Sequence, residues 1–95
     1  MPHAIFSYVH HNRRVAALVT IQCKTDFALR TDLLGKLGGE VAMHIAAVGK
    51  FDPEDAWVLD ASRKVKDVID AAKTELGEPV IVSNVVVSGP GNLRH

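Results

Sequence analysis

The sequence has little of what a disulfide-linked or membrane-embedded protein needs. One of its 95 residues is cysteine, Cys23, so no disulfide can form within the chain. The longest apolar runs, at 15–19 and 85–87, are far shorter than the roughly 20 residues that span a bilayer. Residues 1–4 do not begin a charged segment followed by an apolar one, so no secretory signal is predicted. The cytoplasm is therefore the expected location.

An excess of charge of one sign is also missing. Eleven lysines and arginines balance eleven acidic residues, so the formal net charge is zero with neutral histidines. A generic binder of nucleic acid or of an anionic membrane carries a basic excess, so direct nucleic-acid binding and membrane binding are not expected. Hydrophobic residues make up 47% and charged residues 23%, which excludes intrinsic disorder. A net charge of zero is compatible with self-association.

Familiar catalytic and metal-binding spacings are absent as well. The sequence contains no HExxH, no CxxC and no phosphate-binding GxxxxGK[ST]. His10 and His11 are adjacent, so their side chains are expected to diverge, and His44 has no second ligand three or four residues away. Cys23 falls on the apolar face of a predicted strand, where a buried, inert thiol is expected. No cofactor, no metal and no enzymatic activity are expected.

Alternating polarity predicts a β-hairpin at the start of the chain. Residues 5–10 and 15–23 each alternate between two faces and are rich in β-branched side chains. Asn12 lies between them and tolerates the left-handed backbone of a tight turn. The second strand is apolar on one face and mixed on the other, so it is predicted to be central in its sheet.

Helical spacing predicts two helices. Residues 24–30 have no period and are predicted to form a loop, after which Thr31-Asp32 can cap a helix that runs to about Val48. Gly38-Gly39 lies inside this helix and is interpreted as allowing close packing against a strand or helix, with a helix break as the alternative. Ser62 is predicted to cap a second helix over residues 63–76, which Gly77 and Pro79 terminate.

The last strand is predicted over residues 80–87, and residues 88–95 are expected to form a tail that frays. The element order β-β-α-α-β indicates one α+β domain over residues 1–95. It is a three-stranded antiparallel sheet with two helices on one face. The last strand is predicted to be apolar on both faces, with Val80, Val82 and Val86 on one and Ile81, Val85 and Val87 on the other. Because one chain has no element left to cover the second face, a homodimer with sheet against sheet is predicted.

Thr25-Asp26-Phe27 stands out because an aromatic residue follows an acid in the loop between strand and helix. In one interpretation Phe27 folds back over the core while Thr25 or Asp26 caps a helical turn. In the other, the ring projects and enters a partner protein. The local pattern leaves both open.

Three ordered segments carry a family resemblance: residues 8–15 (YVHHNRRV), 23–28 (CKTDFA) and 41–47 (VAMHIAA). They resemble the core of bacterial-type elongation factor Ts. The resemblance is almost continuous over residues 7–50 and resumes more weakly over residues 57–88. It includes neither the family's N-terminal helical domain nor the helical insertion between its two core helices, so a minimal core and dimerisation domain is expected.

The resemblance implies a function without catalysis. Elongation factor Ts binds elongation factor Tu and promotes release of GDP. By analogy, Phe27 would enter the GTPase domain near the magnesium and nucleotide site, and Asp26 would hydrogen-bond there. Met43 and His44 would serve either a second contact with the partner or packing. The positions that the resemblance assigns to partner binding are Thr25, Asp26, Phe27, Arg30, Met43 and His44.

Three functions therefore stay open at the level of the sequence. The first is a dimeric exchange factor, and the second is an adaptor or regulator that binds elongation factor Tu without exchange activity. The third is a plain dimerisation domain whose loop has no target.

Overall fold

The computed structural model describes residues 1–89. Its elements are β1 (His3–Val9), β2 (Ala16–Cys23), α1 (Asp26–Leu29), α2 (Asp32–Val48), β3 (Ala56–Trp57), β4 (Asp60–Lys64), α3 (Val65–Leu76) and β5 (Val80–Ser88). This is an α+β domain, as predicted. Of the predicted tail, Ser88 ends β5 and Gly89 is buried, and the remainder lies outside the described residues.

The larger sheet is antiparallel and has the strand order β1-β2-β5. Ala4 lies opposite Ile21 in the pairing of β1 with β2, and Cys23 lies opposite Val80 in the pairing of β2 with β5. The prediction that the second strand is central is therefore confirmed. Val19 and Ile21 of this strand have no solvent exposure, because both point towards the helices. No helix within residues 1–89 combines the length and apolar character needed to cross a membrane.

The turn between β1 and β2 differs from its prediction. Arg13, not Asn12, has the left-handed backbone, with φ of 61°. The amide oxygen of Asn12 instead accepts a hydrogen bond from the N–H of Arg14 at 2.9 Å. The prediction for Asn12 was wrong because its short side chain bonds to the backbone two residues on, and the left-handed position moves to the next residue.

Helix α2 is continuous, so the alternative of a helix break is excluded. The hydroxyl of Thr31 accepts a hydrogen bond from the N–H of Leu34 at 3.2 Å, which confirms the predicted N-cap. A Cβ atom added to Gly38 would overlap the ring of Phe6 in β1, whereas one added to Gly39 would meet open space. Close packing against a strand is therefore the role of Gly38 alone.

The start of the second long helix was predicted wrongly. Residues 60–64 form strand β4, which pairs with β3 in a small second sheet, and α3 begins at Val65. Ser62 does not cap the helix but donates a hydrogen bond to Asp60 at 2.6 Å. The N-terminal contact is made by the carboxylate of Asp67, which accepts a hydrogen bond from the N–H of Lys64 at 3.0 Å. Every residue of β4 is exposed, so its sequence carries no alternating pattern.

Strand β5 contains a bulge that changes which residues share a face. Leu18 pairs with Val86 and Thr20 with Ser83, so two residues of β5 lie opposite the single residue between them in β2. Asn84 absorbs the extra length with a left-handed φ of 49°. The predicted faces were therefore wrong beyond residue 83. The core side carries Val80, Val82, Val85 and Val87, and the outer side carries Ile81 and Val86.

Candidate partner-binding site

The predicted loop at residues 24–30 contains a one-turn helix, α1. Thr25 is its N-cap, and its hydroxyl accepts a hydrogen bond from the N–H of Ala28 at 3.2 Å. Ala28 is buried in the core, whereas Asp26 and Phe27 are exposed. The capping half of the first interpretation is confirmed, but the prediction of an unstructured loop was wrong.

The ring of Phe27 points away from the core. Its side chain is 79% exposed, the largest exposure among the exposed large hydrophobic residues of the described chain. Within a single helical turn, burial of Ala28 directs the preceding side chain outward. The alternative in which Phe27 covers the core is therefore excluded. The ring is accessible to another protein, as single exposed apolar residues on protein surfaces commonly are.

Arg30 ends the same turn. Its backbone N–H donates to the carbonyl oxygen of Phe27 at 3.1 Å, and its side chain is exposed. The hydroxyl of Thr31 donates to the carbonyl oxygen of Ala28 at 2.7 Å, which joins α1 to α2. Four of the six predicted positions, at residues 25, 26, 27 and 30, thus lie on one ordered turn.

Thr25 is held from a distant part of the chain. Its backbone N–H donates to the carboxylate of Glu78 at 2.9 Å, and its hydroxyl lies 3.2 and 3.0 Å from the two oxygens of that carboxylate. Sequence reasoning gave Glu78 no role. Nothing in the sequence signals a contact between residues 53 positions apart. Thr25 therefore faces its own subunit, unlike Asp26 and Phe27.

His44 lies in the interior. Its side chain has no solvent exposure, and its ring stacks on Trp57 with centroids 5.1 Å apart and planes inclined by 14°. Its Nδ1 atom accepts a hydrogen bond from the N–H of Val58 at 3.1 Å. Of the two roles that the sequence left open for His44, the structure shows packing.

Burial also sets the charge of His44. Desolvation lowers the pKa of the imidazole below its usual value, and the negative charge of Asp55 opposes this shift to a smaller extent. The ring is therefore neutral at pH 7. In this form Nδ1 is free to accept the hydrogen bond from Val58.

Met43 is half-buried and borders a groove of about 460 Å³. The groove runs between α2, which contributes Met43 and Ala46, and the β3–β4 connection, which contributes Leu59. Tyr8 lines it from β1. The side chains of α1 do not line this groove, so Met43 and Phe27 belong to separate surfaces of the described chain.

The remaining candidate groups are the adjacent histidines of the first turn and the single cysteine. The centroids of the His10 and His11 rings are 4.1 Å apart, so these side chains do not diverge as predicted. The reason is that His11 lies in the turn after β1, where the alternation of a strand no longer applies. Cys23 is buried, as predicted, and burial followed by the charge of Glu78 raises the pKa of its thiol. Within residues 1–89, no three side chains of His, Cys, Asp or Glu are grouped to hold a metal ion.

The outer face of the larger sheet is uncovered in the single chain. Leu18 of β2 pairs with Ser7 of β1 and Val86 of β5, and this row points away from the helices. The exposed large apolar side chains on this face, each between 42% and 65% exposed, are Ile5, Val9, Leu18, Ile81 and Val86. They form an apolar surface, which we call the outer face.

Comparison with known proteins gives one consistent result. No protein-family model matches the chain. It is 35% identical over 86 residues to elongation factor Ts of Fervidobacterium nodosum, which covers 90% of this chain and 44% of that protein. The corresponding protein of Thermosipho melanesiensis is 32% identical over 89 residues, which covers 93% of this chain and 45% of that protein.

A third relative, elongation factor Ts of Solibacter usitatus, is 33% identical over 86 residues, covering 90% of this chain and 41% of that protein. The match thus spans nearly the whole chain but less than half the length of each relative. The chain is therefore a homologue of the elongation factor Ts proteins and corresponds to a region that makes up less than half of their length.

Proposed function

We propose that this protein binds elongation factor Tu and promotes the release of GDP during translation elongation. In this proposal the exposed ring of Phe27 enters the GTPase domain beside the magnesium and nucleotide site, and Asp26 hydrogen-bonds there. The observation that carries the proposal is the exposure of Phe27 on an ordered, capped turn. The similarity to elongation factor Ts proteins, which extends through this turn, supports it.

The proposed action is a coupling between two binding equilibria and involves no covalent step. If the protein binds the GDP-free partner more tightly than the GDP-bound one, it weakens GDP binding. GDP then weakens binding of the protein by the same factor. An aromatic side chain that becomes buried at the centre of such an interface typically contributes about 2 kcal/mol or more to binding.

The outer face supports a second part of the proposal, a homodimer. Its five exposed apolar residues lie on all three strands of the larger sheet. Burying them against a second copy removes this surface from water, and each 100 Å² of apolar area so buried contributes about 2.5 kcal/mol. We propose that two copies associate through their outer faces.

An alternative function is binding without exchange, as an adaptor or regulator. The chain matches 41% to 45% of the length of these relatives, and binding alone requires only the exposed turn within this region. A region of this size can carry the binding turn without everything that exchange requires. In a third case the chain only dimerises.

Release of a fluorescent GDP from elongation factor Tu, followed by stopped flow with and without this protein, tests the proposal. We expect faster release with the wild type and little acceleration with Phe27→Ala. Phe27→Leu should retain part of the effect, and Val48→Ala, which shortens an exposed apolar residue at the end of α2, should match the wild type. Unchanged release together with wild-type binding that depends on Phe27 would favour the adaptor. Equal binding of wild type and Phe27→Ala would leave only the dimerisation domain.

Analytical sedimentation tests the dimer separately. We expect a dimer at micromolar concentration and a monomer for Ile5→Lys, because Ile5 is 65% exposed and a folded single chain tolerates lysine there. A wild-type monomer at this concentration would contradict the dimer.

A further inference from the structure

Glu78 joins two segments that are distant in the sequence. Its carboxylate accepts a hydrogen bond from the N–H of Thr25 at 2.9 Å and another from the hydroxyl of Thr25, whose oxygen lies 3.0 Å from Oε2. Hydrogen bonds to a carboxylate are charge-assisted and about twice as strong as those between neutral groups. The start of α1 is therefore tied to the connection between α3 and β5.

The bond from the Thr25 hydroxyl also orients the cap of α1. The hydroxyl carries one proton, which it donates to Glu78, so its lone pairs remain free to accept from the N–H of Ala28 at 3.2 Å. Glu78 thus acts on the turn through Thr25. A helix of four residues is far below the length at which helices are stable alone, so external contacts of this kind must hold it.

Both segments that Glu78 joins are held in place by the fold. Gly77 ends α3 with a φ of 74°, and its N–H donates to the carbonyl oxygen of Lys73 at 2.8 Å. Two residues after Glu78, Val80 pairs with Cys23, which lies two residues before Thr25. The sheet therefore fixes the separation that the carboxylate bridges.

We propose that Glu78 is a positioning residue for the partner-binding turn. By holding Thr25, it presents Phe27 to the partner on a preformed turn and so reduces the entropy that binding would otherwise cost. Glu78 makes no contact with the ring itself in this scheme. The claim that Glu78 strengthens partner binding rests on the proposed function. The claim that Glu78 keeps the turn ordered does not.

The first experiment measures the order of the turn in the free protein. Amide hydrogen exchange, followed by NMR, is compared for wild type, Glu78→Ala and Glu78→Gln. We expect the amide of Ala28 to exchange about tenfold faster in Glu78→Ala. The effect should be smaller in Glu78→Gln, whose amide oxygen still accepts. Glu75→Ala removes an exposed acid from the same end of α3 and should leave the exchange unchanged.

The second experiment measures binding of the same variants to elongation factor Tu loaded with GDP. We expect Glu78→Ala to weaken binding about fivefold to tenfold and Glu75→Ala to leave it unchanged. Thr25→Val keeps the shape, loses the hydroxyl and should bind more weakly than wild type. Thr25→Ser keeps the hydroxyl and should bind more tightly than Thr25→Val. Thermal unfolding of each variant is the control, because it shows whether a variant that binds weakly is still folded.

The outcomes separate the two ideas. If Phe27→Ala binds like wild type, the proposed function fails, whatever the exchange rates are. If Phe27→Ala weakens binding but Glu78→Ala does not, or if Glu78→Ala loosens the turn without weakening binding, the positioning role of Glu78 is wrong. Faster exchange together with weaker binding in Glu78→Ala and in Thr25→Val, with smaller effects in the conservative Thr25→Ser, supports it.

Discussion

Two segments of this chain carry the same family resemblance and have opposite fates in the structure. Around Phe27 the side chain singled out by sequence is 79% exposed, whereas His44 in the middle of α2 has no exposure at all. The ring of Phe27 is accessible to another protein. The ring of His44 instead packs on Trp57 and accepts a hydrogen bond from Val58, and so supports the β3–β4 connection. The resemblance singles out both residues alike, and only the surroundings of each residue distinguish an exposed position from a core position.

The largest expected effect is on stability, from His44→Ala. The substitution removes a fully buried ring together with its stacking on Trp57 and its bond to Val58, and we expect it to lower the free energy of unfolding by about 3 kcal/mol. Trp57 is the single tryptophan of the sequence, so its fluorescence in a denaturant titration measures the loss. His11→Ala, at an exposed histidine, serves as the control. Equal stability of the two variants would remove the contrast between His44 and the surface.

The next effect tests how closely α2 packs on the sheet. In Gly38→Ala the new methyl group would overlap the ring of Phe6, and we expect a loss of about 2 kcal/mol from overpacking. Gly39→Ala meets no atom within 4 Å and replaces glycine by the best helix former, so it should stabilise the protein by up to about 1 kcal/mol. Chemical denaturation of the two variants measures the change in the free energy of unfolding, which we expect to be a loss for Gly38→Ala and a gain for Gly39→Ala. A harmless Gly38→Ala would contradict the close packing described here.

A smaller effect follows from the lowered pKa of His44. In the unfolded chain this imidazole has its usual pKa of about 6.5. Between that value and the lower pKa of the folded state, the unfolded chain binds a proton that the folded one does not. Stability should therefore fall as the pH drops below about 6.5, by at most about 1.4 kcal/mol per unit, and this slope should end below the folded pKa.

Unfolding free energies at several pH values between about 7 and 5 measure this slope. His44→Asn should flatten the curve, whereas His11→Asn should not. A slope that survives in His44→Asn would assign the proton to another group.

The smallest expected effect is that of Phe27→Ala on the isolated protein. Because the ring is exposed, its removal should change the free energy of unfolding by less than about 0.5 kcal/mol. Thermal unfolding of the free variant checks this. A large loss of unfolding free energy would mean that the ring supports the fold, so Phe27 would no longer differ from His44 in this respect.

Much of the fold could be predicted from sequence where the determining contacts are local. Alternation identifies β1 and β2, the Thr31 cap identifies the start of α2, and Gly77 identifies the end of α3. The face of β5 beyond residue 83 could not be predicted, because the bulge depends on pairing with β2. Strand β4 was missed because all its residues are exposed and polar or small.

The site was predictable only in part, for a related reason. The segment at residues 25–27 is recognisable from its neighbours in the sequence, but the direction of the Phe27 ring depends on the burial of Ala28 in the core. Glu78 could not be found because it reaches Thr25 across 53 positions. Burial of His44 under Trp57 likewise depends on how the β3–β4 connection folds over α2.

The bulge at Asn84 is a position where β5 can lose one residue without exchanging its two faces. Deleting this one residue would place Val85 directly after Ser83, so simple alternation would keep Val85 and Val87 towards the helices and Val86 towards water. An alignment gap at residue 84 in a related chain therefore indicates loss of the bulge and leaves the two faces of the strand as they are.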